Sequence, residues 1–261
     1  MKLKIMQTEK RYFTAAAVLL IILYMLAGSA VDFNLGSGFL AVPEALRWLF
    51  CNFIPDSQSV SKLPHIMNKL METVFLSVAA ATTASILALL FALAGSGVTR
   101  RNLLLGTVAR IIASISRNVP DSVWAMILLL SFGQNILTGF FTLFFVTFGT
   151  LTRAFIETID ETSSTTVEAL TACGASWWQV VSQGVIPDNI GEIVSWILYE
   201  IEVNIRSSTL VGMLTGTGIG FLFDLYYKSM RYSSAGLIIL LIAAVTLIIE
   251  TTSNAIRRRI L

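Results

Sequence analysis

Long charge-free apolar runs recur along the chain, separated by short polar stretches. A helix that crosses a bilayer needs about 20 apolar residues. Phe13 to Val31 gives 19 residues without charge, and Thr73 to Val98 gives 26. Ser122 to Thr152 is a charge-free run of 31. At about 1.5 Å per residue that is too long for one upright crossing. It holds a polar, glycine-containing break, FGQN at 132–135. The pattern therefore predicts two spans there, 119–132 and 136–157. The first is short and extends backward through the amphipathic stretch Leu103 to Arg117, with Pro120 at a helix first turn or a kink. A fifth span is expected over 190–211 and a sixth over 232–249. The fold class is thus all-α: one polytopic membrane domain, 1–261, with about six transmembrane helices.

Composition agrees. Only 13% of residues are charged, against about 25% in soluble domains, and mean hydropathy is +0.77. The first run is too long for a signal-peptide core and no A-x-A-like site follows it, so it reads as a retained span. With a cytoplasmic N-terminus and six spans, twelve Lys and Arg fall inside, including Arg110, Arg117, Arg153 and the Arg257–Arg259 cluster. Five fall outside, and Arg206 lies within the fifth span. That bias obeys the positive-inside rule. Both termini are then cytoplasmic, and so is the loop 159–189. Cys51 and Cys173 lie on opposite sides and cannot pair. The outer loop from Asp32 to Met71 contains PEALRWLFCNFIP, 43–55, which is apolar on one face. It suits either an interfacial helix or a packing lid.

Several chemistries find no support. There is no P-loop motif for a nucleotide. The lone His65 has no cysteine nearby and makes a poor metal site. Ser176 in GAS, 174–176, has no base on its side of the membrane to activate it. The basic residues track the membrane and do not form a nucleic-acid patch.

Two stretches carry candidate function. The fifth span reads SWILYEIEVNIRSSTLVGMLTGTGIGF and puts Glu200, Glu202 and Arg206 at or near membrane depth. Ionisable groups there face a bundle interior or a watery path. Glu202 and Arg206 are spaced i, i+4 and can meet on one face. They are either a self-neutralising pair or part of a translocation path, joined by Asn204, Ser207, Ser208 and Thr209. In the second case Arg206 would attract an anion. Gly212, Gly216, Gly218 and Gly220 follow, either as a helix end at the outer surface or as a flexible gate. In the cytoplasmic loop, EALTACGASWWQVVSQGVIP, 168–187, reads as a helix broken at Gly174. A second short helix follows, stopped by Gly184 and Pro187 before the fifth span.

That loop resembles the EAA loop of bacterial ABC-importer permeases, E-A-A-x-x-x-G, nine residues, then I-x-L-P. The matching positions are Glu168, Ala169, Gly174 and Pro187; Leu170, Gly184 and Ile186 depart from the pattern. Tyr199 to Gly220 is similar to the fifth-span signature of phosphonate-transport permeases, and SRNVPDSVWAM, 116–126, to the corresponding region there. Thr215 and Thr217 depart from a run usually richer in Gly and Ala. The likeness covers roughly 70–255. It implies a type I (MetI-like) permease architecture and a transport subunit that is no enzyme. It implies a bacterial inner-membrane location and a cargo of phosphonate or a related phosphorus oxyanion. Glu168, Ala169, Leu170, Gly174 and Pro187 would dock the ATPase. The implied partners are a second copy of the chain, two ATPase subunits that hold ATP and Mg, and an extracytoplasmic binding protein. No cofactor is expected in this chain. The alternatives are another cargo, such as methionine, or a stand-alone ion-coupled carrier using Glu202 and Arg206.

Overall fold

A computed structural model describes residues 2–30 and 35–260. Among them all regular structure is helical. The chain divides into two units, 1–52 and 53–261. In the first, α1 (Lys2–Ala30) is followed by α2 (Leu35–Asn52). Tyr12–Ala30 carries no charge and buries none of its window within the protein. A helix apolar on all sides suits hydrocarbon surroundings. Val31, where the first expected span ends, and residues 32–34 of the outer loop lie outside the described residues. The interfacial segment expected at 43–55 is helical through Asn52, with Pro43 inside α2.

The second unit begins with α3 (Ser57–Ser61), closed by a capping box. The Ser59 amide donates to Asp56 Oδ1 at 2.7 Å, and the Asp56 amide donates to Ser59 Oγ. The Ser59 amide also holds the Asp56 carboxyl below its usual range. Next comes α4 (Leu63–Gly95), 33 residues long. Its buried positions are mostly small, including Ser77, Ala80, Ala81, Ala84, Ser85, Ala88 and Ala92. Small side chains let helix backbones approach closely in a membrane, where apolar burial between helices gains little. After α5 (Leu103–Asn118) and α6 (Asp121–Phe132), α7 (Ile136–Thr162) runs through the centre of the unit, packed by α4, α5 and α6. Its Phe148, Leu151, Phe155 and Ile159 form the main core with Ala84, Ala88 and Ala92 of α4.

Helices α5 and α6 form one broken element antiparallel to α7. Arg110 lies near Asp160, the Arg117 backbone lies against Gly149, Trp124 stacks on Phe145, and Phe132 stacks on Phe141. The break falls at Val119–Pro120. Val119 is extended (ψ 119°), as a residue before proline prefers, and Pro120 stands just ahead of α6. Alone, α6 has 12 residues, about 18 Å of helix, too little to cross a bilayer. A polar turn at 133–135 separates it from α7, whose first turn is capped by Asn135 accepting from the Thr138 amide at 3.0 Å.

The remaining elements are α8 (Ser164–Ala172), α9 (Trp177–Val180), α10 (Ile186–Thr215), α11 (Gly218–Lys228) and α12 (Tyr232–Ile260). One expectation is revised here. Gly184 and Pro187 do not stop the helix before the fifth span. A π-helical turn at Val181–Val185 joins α9 to α10, and Pro187 falls in the first turn of α10. Proline is accommodated because it follows the π-turn, where the Ile186 amide already donates to the Val181 carbonyl five residues back and the regular helical ladder is relaxed. The fifth span is thus one helical rod, Trp177–Thr215, longer than the 190–211 expected. It then bends by 56° into α11. Among the described residues, four helices are long and apolar enough to cross a membrane singly: Tyr12–Ala30, Leu63–Gly95, Ile136–Thr162 and Tyr232–Arg259. The bent rod makes a fifth. The short crossing expected at 119–132 exists only as the broken pair α5–α6.

The seam between α5 and α7 has no slack. A Cβ on Gly149 would sit 2.6 Å from the Arg117 amide nitrogen and 2.7 Å from the Ala113 carbonyl oxygen, so neither backbone can yield cheaply. Gly149→Leu is expected to cost about 1–3 kcal/mol by overpacking, read as a lowered thermal midpoint of the purified protein. Leu130→Ala, at a side chain 90% exposed, should leave that midpoint nearly unchanged.

Candidate functional site

Two regions hold the residues singled out by sequence. The first is the turn between α7 and α10. Helix α8 ends in a Schellman motif: the Ala175 amide donates to the Leu170 carbonyl and the Gly174 amide to the Thr171 carbonyl, both at 3.0 Å. Gly174 takes φ +82° in that motif, a conformation that costs a side-chain-bearing residue about 1–2 kcal/mol. Ser176 then opens α9, its amide donating to Gln179 Oε1 at 2.7 Å.

The knob so formed is fixed to the body from beneath. Asn189, fully buried on α10, donates to Ser163 Oγ at 2.6 Å and to the Val185 carbonyl at 2.7 Å. Its Oδ1 accepts from the Thr162 hydroxyl. Val167 and Leu170 pack on the main core. Leu170 and Thr166 also lie so close to Gly184 that a Cβ there would approach them to 2.8 and 3.0 Å. Trp177 donates its indole N–H to the Thr99 carbonyl at 2.8 Å, with the Arg101 guanidinium 5.8 Å from its ring centre. This leaves Glu168, Ala169, Gly174, Pro187 and Trp178 exposed. Leu170 faces inward and serves as an anchor. An exposed cap of small and acidic groups on a rigid base suits the groove of a partner protein.

The second region is a polar layer within α10. Residues spaced i, i+4 present two different faces. Glu200 and Asn204 are buried toward α7, where the Thr147 hydroxyl donates to Asn204 Oδ1 at 3.0 Å. Asn204 Nδ2 is buried with no partner among the described residues. Glu202 and Arg206 form an ion pair at 3.1 Å. Glu202 is nearly buried, whereas 53% of the Arg206 side chain is exposed. Arg206 borders a groove of about 640 Å³ between α10, α11 and α12, otherwise lined by Thr209, Met213, Phe223, Ile239 and other mostly apolar residues. Ser208 donates to the Ile205 carbonyl, the Thr209 hydroxyl is buried without a partner, and Ser207 is half-buried.

The four glycines beyond this layer build a tight turn. Gly216 ends α10 with φ 73°, and Gly218 starts α11 with φ 60°. Gly212 and Gly220 lie where the two helices meet: a Cβ on Gly220 would run into the Thr209 carbonyl. Two residues of α4 cap α11, the Gly218 amide donating to Glu72 Oε1 and the Ile219 amide to Thr73 Oγ1. The turn is held at both ends by packing and capping.

Sequence reasoning missed Thr147, the partner of Asn204, because a threonine in an apolar helix gives no signal. It missed Asn189, the clamp under the knob, for the same reason. The structure sets the Arg117 backbone beside Gly149, the central residue of α7, a contact with no sign in the sequence.

Comparison with known proteins gives the assignment. Residues 84–261 match the family described as binding-protein-dependent transport system inner membrane component. The phosphite transport system permease protein PtxC of Stutzerimonas stutzeri is 29% identical over 189 residues, covering 72% of this chain and 69% of that protein. The phosphate-import permease protein PhnE of Mycolicibacterium smegmatis is 27% identical over 56% of this chain, and the match spans 27% of that longer protein. Among solved structures, the inward-facing MetNI methionine ABC transporter superposes with a TM-score of 0.67 at 14% identity, covering 75% of this chain and 96% of that one. An amino acid ABC transporter gives 0.66 at 20%, covering 77% and 96%. At such identities the superpositions speak for the fold, while the family match spans well over half of the sequence. This chain belongs to the family of binding-protein-dependent transport system inner membrane components.

Proposed function

We propose that this chain is the membrane-spanning subunit of an ATP-driven importer for a small phosphorus oxyanion: a phosphonate, phosphite or phosphate. The multi-pass permease role follows from the family. The cargo class is supported by relatives named for phosphite and phosphate transport. A second copy of the chain completes the pathway, and an extracytoplasmic binding protein delivers the substrate. Two ATPase subunits carry the ATP and Mg and dock on the knob at Glu168, Ala169 and Gly174. Both termini face the cytoplasm of a bacterial cell.

One observation carries the mechanism. The knob is clamped to a helix that runs without interruption from Trp177 to Thr215. At about 1.5 Å per residue, Trp177 and Asn204 lie about 40 Å apart along that rod. A push on α8 when the ATPase pair closes therefore moves the polar layer as well. The bend at Gly216 then passes the motion to α11, which is capped by α4. Alternating access needs such a stiff link, because a flexible loop would dissipate the displacement locally.

Within this reading Glu202 and Arg206 act as an orienting pair, since the groove beside Arg206 is mostly apolar. Removing Arg206 leaves the nearly buried Glu202 carboxylate without its partner, which is costlier than replacing both. Arg206→Ala should therefore lower the yield of assembled protein, and the double change Glu202→Gln, Arg206→Gln should restore it. A pathway role would instead leave assembly intact in Arg206→Ala and abolish uptake.

Gly174→Leu should leave the spans inserted but reduce co-purification of the ATPase subunits and cut uptake at least tenfold. Normal co-purification together with normal uptake would sink the docking assignment. Cargo is tested with the transporter reconstituted in vesicles with its binding protein. Uptake of radiolabelled phosphite, phosphate or methylphosphonate is expected. Uptake of methionine alone, or uptake by the chain without ATPase subunits, would overturn the assignment.

A further inference from the structure

The largest concentration of charge in the second unit lies outside both regions above. Arg110, Ser114 and Arg117 follow one another at i, i+4, i+7 on α5. Arg153, Glu157 and Asp160 do the same on α7. Together they border one cleft of about 370 Å³, floored by Ala113 and Ile156. The cleft extends from the Asp160 end of α7 to the level of Gly149. Gly149 is thirteen residues from either end of α7, so the Arg117 backbone passes α7 about 20 Å along the helix from each end.

The charges in the cleft are unevenly matched. Arg153 pairs with Glu157 at 2.5 Å. Asp160 accepts from the Ser96 hydroxyl at 2.5 Å, and Arg110 reaches it only at 3.9 Å while donating to the Gly95 carbonyl at 2.7 Å. Arg117 is half-buried and has no hydrogen bond or ion pair among the described residues. Its cation is the one the cleft leaves uncompensated. Arg153 and Glu157 are both more than half exposed. Charges so exposed cannot face hydrocarbon without a large cost. The cleft therefore opens onto water or a polar occupant.

We propose that this cleft is a transit site for the cargo, in which the Arg117 guanidinium, with Arg153 opposite, binds a phosphorus oxyanion. The proposal rests on the cargo class given above. A guanidinium presents two parallel N–H groups that match two oxygens of such an anion. The acidic side chains keep the site's net charge low, so the ion is held loosely enough to leave. Glu157 competes with the anion for Arg153, and Asp160 stands at the exit. An anion arriving from the Gly149 level of α7 would meet Arg117 first and then the Arg110 end. The i, i+4, i+7 stripes make the path a ladder along two helices.

The test uses the whole transporter, with its ATPase subunits and binding protein, in neutral phosphatidylcholine nanodiscs and vesicles. Inorganic phosphite at millimolar concentration should protect Arg117 from phenylglyoxal several-fold, read by mass spectrometry, while the exposed Arg258 stays unprotected. Arg117→Gln should cut phosphite uptake at least tenfold while ATPase stimulation by the loaded binding protein persists; Arg117→Lys should recover part of it. Ser114→Glu, which puts a carboxylate into the cleft without removing Arg117, should give the same loss. Wild-type uptake by Arg117→Gln or by Ser114→Glu overturns the site and leaves the cargo class standing. No uptake of any phosphorus oxyanion by the unaltered transporter overturns both. Protection by anionic lipid in the nanodisc without phosphite assigns the cleft to a headgroup and overturns the transit role. Failure of phenylglyoxal to reach Arg117 at all assigns it to a protein partner, with the same consequence.

Discussion

The close approach of backbones around α7 is the condition on which the rest of this structure depends. In hydrocarbon surroundings, leucine against leucine gains little over leucine against lipid. Cohesion must come from dense contact and from polar groups satisfied inside. The seam with α4 is built from alanines and serines, and the seam with α5 closes on Gly149. Most α7 threonines return their hydroxyls to their own helix, as Thr142 does to Thr138 and Thr152 to Phe148. Thr147 and Thr162 also reach α10, their hydroxyls donating to Asn204 and Asn189; Thr147 does so in the middle of α7. At that level the helices are joined by a hydrogen bond, in surroundings where water cannot compete for it.

The same economy explains the knob. A helix end presented to a partner must be stiff enough to be pushed and must not unravel. The Schellman turn at Gly174 satisfies the last carbonyls of α8. Asn189 satisfies the polar groups at its start, and Leu170 packs its underside onto Gly184. The link to α10 is helical throughout, through a π-turn where a break was expected. The extra residue of a π-turn re-aims the side chains on either side, so α9 can face Thr99 while α10 faces α7. Rigid-body motion of α8 therefore has one mechanical outlet, along the rod.

Charge at depth divides the molecule into two kinds of site. Glu202 and Arg206 neutralise each other beside an apolar groove and set the rotation of α10. The α5–α7 cleft leaves one cation over. The difference lies in geometry: one helix supplies both members of the first pair at i, i+4, whereas two antiparallel helices supply the cleft, and their stripes need not cancel.

The sequence by itself determined the class of the fold, the polar break at 132–135 and the helix–glycine–helix shape of the loop. Each is a local property. Apolar runs of span length need an apolar medium, a glycine at φ +82° ends α8 wherever the chain lies, and i, i+4 spacing brings Glu202 to Arg206 in any helix. Spacing in the loop also carried the resemblance that the family match later gave. Tertiary structure alone decided the rest. Whether Gly184 and Pro187 break a helix depends on what packs against them, and Leu170 with Asn189 holds that segment helical. Where Arg117 stands in the bundle depends on which residue of α7 it passes, and the close passage at Gly149 fixes that level. A lone arginine and a lone threonine look alike in any apolar sequence; their neighbours across a helix seam give them their roles.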